Sequence, residues 1–149
     1  VAIDEVKYET IEAMSYLASP VGQNTAVIPL VFRENSQANR NDNSGINIAN
    51  LNLNATQQIS IVLYSDVGDP LLADPITVTL PAGGSDYVYL PFIDGIPPGT
   101  AASARISSSD PHGFVAVSNN VNYAVGGDGS VVYGASSDRG LYRLNTAGN

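Results

Sequence analysis

The stretch "GINIANLNLNATQQISIVLYS", residues 45–65, contains two runs in which apolar residues occupy every second position. In the first run Ile46 and Ile48 lie two positions apart, and in the second Ile59 and Ile61 do the same. Successive side chains of a strand point to opposite faces, so this period predicts two β-strands, each with one face in a core. The segment "NLNAT" between them is rich in turn-forming residues and predicts the reversal of the chain.

The same pattern continues on both sides of this stretch. Further strands are predicted at "VIPLVFR" (27–33), "ITVTL" (76–80), "YVYLPF" (87–92), "AASARIS" (101–107), "GFVAVSNNVNYAV" (113–125), "SVVYGA" (130–135) and, as a short addition, "GLYRLN" (140–145). Short strands separated by turn signals about every ten residues predict an all-β fold, an Ig-like or jelly-roll-like antiparallel β-sandwich of seven to eight strands over residues 26–149. The connections lack helical periodicity, which argues against a parallel α/β fold.

The first 25 residues form an N-terminal arm outside this pattern. Within "IDEVKYETIEAMSYLAS", one stripe of a helix would carry Ile3, Val6, Thr10, Met14 and Leu17, whereas Val6, Tyr8 and Thr10 also alternate as in a strand. The arm is therefore expected to be either helical or extended.

The composition excludes several classes of partner. The net charge is −8 with six Lys and Arg, which disfavours nucleic acid and anionic membrane surfaces. The absence of cysteine excludes a disulfide framework and a thiolate metal site. No apolar run reaches the ~18 residues of a membrane span. Charged residues are 13% of the chain, against the usual ~25%, and the chain begins with Val1, so we expect an extracellular protein whose export signal has been removed.

Catalysis is not indicated by the titratable residues. The single histidine, His112, lies in the turn "SSDPHG", and most carboxylates lie in turns or in the arm. A general base needs an orienting partner and a reacting group within reach, and the sequence supplies neither in a recognisable pattern. We predict that the protein is not an enzyme and holds no cofactor.

Three oxygen-rich loops are weak candidates for calcium. The loops "NRNDNSG", "SDVGDP" and "GGDGS" contribute Asp42, Asp66, Asp69 and Asp128, without the spacing of an EF-hand. Ordinary turns are the default interpretation of these loops. The sequence also holds one glycosylation sequon, at Asn54 in a predicted turn.

Two side-chain patterns bear on ligands. Tyr87 and Tyr89 lie two apart on one predicted strand, where they form either a platform for a sugar ring or the cover of a half-buried face. On the strand predicted at 113–125, one face would carry Val115, Val117, Val121 and Tyr123. The polar Asn119 falls on that same face, with Asn120 beside it. This interruption predicts a bulge at that point, or an asparagine that bonds to loop backbone, rather than a ligand site.

The chain from Val27 to about Ala135 resembles secreted bacterial cell-surface β-sandwich domains, which carry "LPxGG" and "AVVNxVN" patterns. The matching segments here are "NSGINIANLNLNATQQISIVLYSDVGDPL", "ITVTLPAGGSDYVYLP" and "GFVAVSNNVNYAVGGDGSVVYGA". The resemblance implies an extracellular β-sandwich without catalysis, and it does not include the arm.

A secreted sandwich with an arm outside its sheets suggests polymerisation. We expect a structural subunit of an extracellular filament, pilus-like or tubular, in which the arm of one subunit fills an edge of the next by donor-strand exchange. The interface would include Val1, Ile3, Val6, Tyr8, Ile11, Met14 and Leu17. The alternative is a monomeric adhesive or carbohydrate-binding surface domain.

Overall fold

Two antiparallel sheets form the body of the protein. The computed structural model describes the backbone of residues 2–7, 12–17, 22–35, 42–121, 131–136 and 140–145, and the side chains of residues 22–35 and 42–120. Within these residues the strands are β1 (Ala2–Lys7), β2 (Glu12–Leu17), β3 (Thr25–Arg33), β4 (Asn43–Asn50), β5 (Gln57–Tyr64), β6 (Ile76–Leu80), β7 (Ser85–Tyr89), β8 (Thr100–Ser107), β9 (Phe114–Val121), β10 (Val131–Ser136) and β11 (Gly140–Asn145).

The strand order confirms the predicted sandwich. One sheet has the order β11-β10-β9-β4-β7, the other has the order β3-β8-β5-β6, and β1 and β2 form a two-stranded sheet. The seven strands from β3 to β9 make up the two layers, and β10 and β11 extend the first layer. Within the described residues, no helix is long and apolar enough to span a membrane.

The core lies between the layers, and the isoleucines predicted to face inward on β4 and β5 are buried there. Ile46 and Ile48 of β4 and Ile59 and Ile61 of β5 are at most 1% exposed. They belong to one apolar cluster with residues of β3, β6, β7, β8 and β9. Each such side chain contributes roughly 1.5–3 kcal/mol when it is removed from water, so the alternation holds the layers together.

Pro29 lies where the pairing of strand β3 is irregular. The strand lies at the edge of the four-stranded sheet, and its pairing with β8 shifts register between Ile28 and Val31. Pro29 falls within this bulge, where its missing N–H leaves no gap in a regular ladder.

The predicted face of β9 was wrong. Residues 114–121 pair with β4 without a bulge, and the inward side carries Phe114, Ser118 and Asn120 rather than the valines. The hydroxyl of Ser44 on β4 donates to Asn120 Oδ1 and accepts the backbone N–H of Phe32, 2.8 Å away on the opposite sheet. Asn120 is buried with a partner on the neighbouring strand, and Ser44 in turn bonds to the other layer, whereas the buried hydroxyl of Ser118 has no hydrogen-bond partner among the described residues.

The strand predicted at 87–92 is also shorter than expected. β7 ends at Tyr89, and Leu90–Phe92 form a single 3-10 turn. Pro91 lies within that turn, where its fixed φ suits the tighter backbone and its missing N–H removes a ladder bond.

Two buried amides join three loops at one end of the sandwich. Asn50, the last residue of β4, directs its Nδ2 at the carbonyl oxygens of Ala55 (2.9 Å), Leu80 (3.3 Å) and Pro81 (2.8 Å). It therefore connects the loop after β4 to the turn that leads into β7.

The second amide extends this connection to the third loop. Gln57 Nε2 donates to Asn50 Oδ1 and to the carbonyl of Gly113 (2.8 Å), while its Oε1 accepts the hydroxyl of Ser108 (2.7 Å). Asn50 is 2% exposed and Gln57 is 4% exposed, so these bonds are shielded from water. We call the side chains of Asn50 and Gln57, with their partners, the amide network.

We expect Asn50→Ala to lower the free energy of unfolding by about 2–4 kcal/mol, because it leaves buried carbonyls and the Gln57 amide without partners. Asn47→Ala is the control on the same strand, since Asn47 is exposed, and it should change stability by no more than about 0.5 kcal/mol. Urea denaturation of both variants gives the comparison. Equal losses in the two would show that the amide network does not stabilise the fold.

Candidate functional site

The outer face of β7 carries the tyrosines that the sequence singled out. β7 is the edge strand of the five-stranded sheet, and its alternation buries Val88 while Tyr87 and Tyr89 lie on the solvent side. Tyr87 pairs with Asn47 and Tyr89 pairs with Gly45 on the neighbouring strand β4. The prediction that both rings share one face agrees with this arrangement.

The ring of Tyr87 lies over Gly45. A Cβ at Gly45 would overlap the outer end of this ring, so glycine makes room for it. Gly45 is buried beneath the ring, whereas the side chain of Tyr87 is still 46% exposed. The glycine thus fixes where the ring lies and leaves part of it accessible to a ligand.

Phe92 completes a cluster of three rings, which we call the aromatic face. The rings of Tyr87 and Tyr89 are nearly parallel, at 16°, with centroids 6.0 Å apart. Phe92 meets Tyr89 edge-on at 81° and 5.1 Å, and it is 82% exposed. Phe92 was not predicted as part of this site, because the strand was expected to continue through it; Pro91 was the signal for the turn that brings its ring beside Tyr89.

Amide side chains flank these rings. Asn47 is exposed beside Tyr87, and Asn119 of β9 is in register with Gly45 on the same outer side of the sheet. Asn119 therefore belongs to this face, while Asn120 belongs to the interior. Aromatic rings with a few amides around them are typical of sites that bind organic ligands through ring faces and hydroxyl groups.

His112 lies in an exposed turn that Asp110 organises. The carboxylate of Asp110 accepts hydrogen bonds from Asn52 Nδ2 (2.9 Å) and from the backbone N–H of His112 (2.8 Å). His112 Nδ1 lies 3.2 Å from Asp110 Oδ1, and its side chain is 58% exposed. Both carboxylate oxygens of Asp110 thus hold the turn in place.

Asp42, Asp66 and Asp69, the calcium candidates that the structure describes, do not form a common group. Asp66 and Asp69 are exposed in the loop after β5, where the N–H of Asp69 bonds to Ser65 Oγ (3.1 Å) in a tight turn. Asp42 forms a backbone bridge with Asn35, far along the chain from that loop. Among residues 22–35 and 42–120, no three acidic or histidine side chains form a group that could hold a metal. Asp128 lies outside the described residues.

The sequon at Asn54 lies in the exposed loop between β4 and β5, in which Asn54, Ala55 and Thr56 all face solvent. The N–H of Asn54 bonds to Asn52 Oδ1 (2.9 Å), so the backbone is ordered there. Glycosylation of this residue stays a prediction.

The arm is extended rather than helical. β1 and β2 pair with each other as an antiparallel hairpin, in which Val6 is opposite Ala13 and Met14 is opposite Glu5. β2 also contacts β10 of the body. Ile3 and Leu17 lie within these strands, and Val1, Tyr8 and Ile11 of the predicted interface lie outside the described residues.

The connection between arm and body is fixed by backbone bonds. The N–H of Gln23 donates to the carbonyl of Phe114, and the N–H of Phe114 donates to that of Gln23, both at 3.0 Å. A Cβ at Gly22 would overlap the carbonyl oxygen of His112, and a Cβ at Gly113, which has a φ of 69°, would overlap the backbone of Gln23. These two glycines allow the backbones to cross in direct contact.

Comparisons with known proteins identify the fold alone. No protein-family model and no curated protein matches the sequence. Among solved structures, the chain is similar to the Anabaena sensory rhodopsin transducer, with a TM-score of 0.52 and 19% identity over 64% of this chain and 95% of that one. It is also similar to Thermotoga maritima 1070, with a TM-score of 0.56 and 16% identity over 82% of this chain and 92% of that one.

We expect the turn at Asp110 to make a pH-dependent contribution to stability. The bond from Asn52, and then that from the His112 N–H, lowers the pKa of Asp110 below its ordinary value. A lowered pKa stabilises the fold at neutral pH, and the contribution is lost as the pH falls through the lowered value. The Tm of the wild type should therefore exceed that of Asp110→Ala at pH 7, and the gap should narrow as the pH falls below about 4. A gap that is constant from pH 7 to pH 2 would contradict this assignment.

Proposed function

We propose that the protein is a secreted, non-catalytic surface domain that binds carbohydrate through the aromatic face on β7. The observation that supports this most directly is the exposed ring of Tyr87, held over Gly45 beside the exposed amide of Asn47. This is the carbohydrate-binding alternative of the sequence analysis. It stands ahead of the filament because the arm is a hairpin paired with itself, whereas strand donation needs an unpaired strand.

The chemistry of sugars matches this surface. One side of a pyranose ring presents C–H groups, whose positive ends are attracted to the negative face of an aromatic ring. The hydroxyl groups at the rim then need donors and acceptors, which the amide of Asn47 supplies. Tyr87 and Tyr89 lie on strand β7, and Phe92 lies in the turn that follows it, so the tyrosine rings are positioned before a ligand arrives.

We expect Tyr87→Ala to weaken binding to the glycan that the wild type recognises by at least about tenfold, since one stacking partner is lost. A glycan array identifies that ligand, and titration calorimetry measures the change. Tyr64→Ala is the matched control, because Tyr64 is a partly exposed tyrosine on β5 of the other sheet. Equal affinity in the wild type and Tyr87→Ala would contradict the proposal.

The variant Gly45→Ala tests whether the ring of Tyr87 binds a ligand or only packs over the glycine. The added methyl group occupies the place of the Tyr87 ring, which must swing aside while every aromatic residue is kept. If the ring binds a sugar from its present position, the affinity falls although the protein stays folded. If Tyr87 only covers the glycine, circular dichroism and glycan binding both stay as in the wild type.

Assembly into a filament is the second candidate, and the separate hairpin is the observation that favours it. β1 and β2 form their own two-stranded sheet, joined to the body by the fixed contact at Gln23. An isolated two-stranded hairpin is only marginally stable in water, so it needs a surface to pack on. In the monomer, β2 contacts β10 of the same chain. In the proposed filament, the hairpin packs on a neighbouring subunit instead.

Deleting residues 1–20 tests this second candidate. The deletion keeps Gln23 and its bonds to Phe114, so the body should remain folded by circular dichroism. If the hairpin mediates assembly, negative-stain micrographs of the full chain show filaments and those of the truncated chain show none. Filaments from both proteins, or from neither, would contradict the role of the hairpin.

A further inference from the structure

We infer that the protein associates with copies of itself edge to edge, with strand β11 of one copy pairing with strand β6 of the next. This contact uses neither the aromatic face nor the arm, so it is independent of carbohydrate binding and of assembly through the hairpin. Three features support it: the regular, uncharged edge of β6, the carboxylates that border this edge, and the basic residue on β11.

β6 ends the four-stranded sheet with an edge that can accept another strand. Its five residues, Ile76–Leu80, pair with β5 in an unbroken register, and they include neither a charged residue nor a proline. Thr77 and Thr79 of this strand are exposed. A strand at the end of a sheet presents N–H and C=O groups along its outer side, and a further strand can add there.

Two other ends of the sheets carry features that oppose strand addition. At the other end of the four-stranded sheet, the pairing of β3 shifts register around Pro29. At one end of the five-stranded sheet, the carboxylate of Asp86 accepts the backbone N–H of Tyr87 on β7 (2.8 Å). Bulges and charged side chains are the usual protection of an edge strand, so β6 is the better acceptor.

The edge of β6 is bordered by two carboxylates. Asp74 is exposed two residues before the strand begins. Pro70 bridges to Tyr64, whose partner on the β8 side is Ser103, so Pro70 lies on the same side of β5 as β6 does. The exposed Asp69 directly precedes Pro70. A strand that adds to β6 therefore approaches negative charge.

β11 carries the complementary charge and lies at the far end of the other sheet. It pairs with β10 from Gly140 to Asn145, and β10 is its neighbour at the end of the five-stranded order. Its one charged residue is Arg143, and residues 139–149 contain no Asp or Glu. β11 is six residues long and β6 is five, so a single ladder can join them along their whole length.

The charges also favour this pairing over two symmetric ones. Two β11 strands side by side would bring two copies of Arg143 together, and two β6 strands would bring together two copies of the acidic border. Like charges that face each other across neighbouring strands are destabilising. Because the two paired strands are different, each added copy still offers one of them to the next, so copies add in series rather than stopping at a two-fold dimer.

Sedimentation velocity over a concentration series at physiological ionic strength tests this contact. Salt then screens the repulsion between bodies of net charge −8 more than it screens charges in contact. We expect the wild type to form dimers, trimers and longer species, and Arg143→Glu to associate at least about tenfold more weakly. Arg105→Glu is the matched control, because it makes the same change in net charge at an exposed position on β8, inside the other sheet, and it should associate as the wild type does.

A charge swap identifies the acceptor. Asp69→Lys with Asp74→Lys reverses the border of β6 and should also weaken association. The turn bonds of Asp69 to Ser65 use its backbone N–H and carbonyl, so these substitutions should leave the loop folded, which circular dichroism checks. Combining them with Arg143→Glu should restore association, and the repair of a folding defect cannot produce that recovery.

Each failure has a separate meaning. A wild type that stays monomeric, or that stops at a dimer, overturns the inference. Equal weakening by Arg105→Glu and Arg143→Glu overturns the role of β11, and a combined variant without recovery overturns the role of β6. Tyr87→Ala and deletion of residues 1–20 should both associate as the wild type does, so a failure of carbohydrate binding or of assembly through the hairpin would leave this contact standing. Loss of association in either of these two would contradict it.

Discussion

The bonds of Asn50 and Gln57 are the constraint on which the arrangement of this sandwich depends. The chain repeatedly crosses between the sheets, and three of the connecting loops meet at the end of β4. Loop backbone in a buried position needs partners for its carbonyls and N–H groups, and these two amides supply them. An apolar residue in either position would leave polar groups in the interior without partners.

The same constraint sets the position of β7 and therefore of the aromatic face. The Asn50 side chain binds the Leu80 and Pro81 carbonyls, and the Asn50 backbone N–H donates to Gly84 at 2.8 Å. The turn into β7 is thereby fastened to β4, which keeps Tyr87 in register with Asn47 and over Gly45. A framework of buried amides thus holds exposed rings in a constant geometry, as a preformed binding surface requires.

The sequence predicted the parts of the fold in which burial follows hydrophobicity. The alternation in β4 and β5 predicted the core correctly. The prediction failed on β9, where the half-buried valines lie on the outer side and Ser118 and Asn120 face inward. Hydrophobicity alone could not predict this, because the Ser44 hydroxyl that bonds to Asn120 lies 76 residues earlier in the chain.

The sequence by itself determined the fold class, the strands of the body apart from the end of β7, and the placement of Tyr87 and Tyr89 on one face, because these follow from the local period of two. Only the tertiary structure decided that Phe92 joins those rings, that Gly45 lies beneath Tyr87, and that the arm pairs with itself. Such contacts depend on strand order and register, which are fixed by the packing of distant segments. A local pattern specifies which way a side chain points, and the assembled sheets specify what it meets.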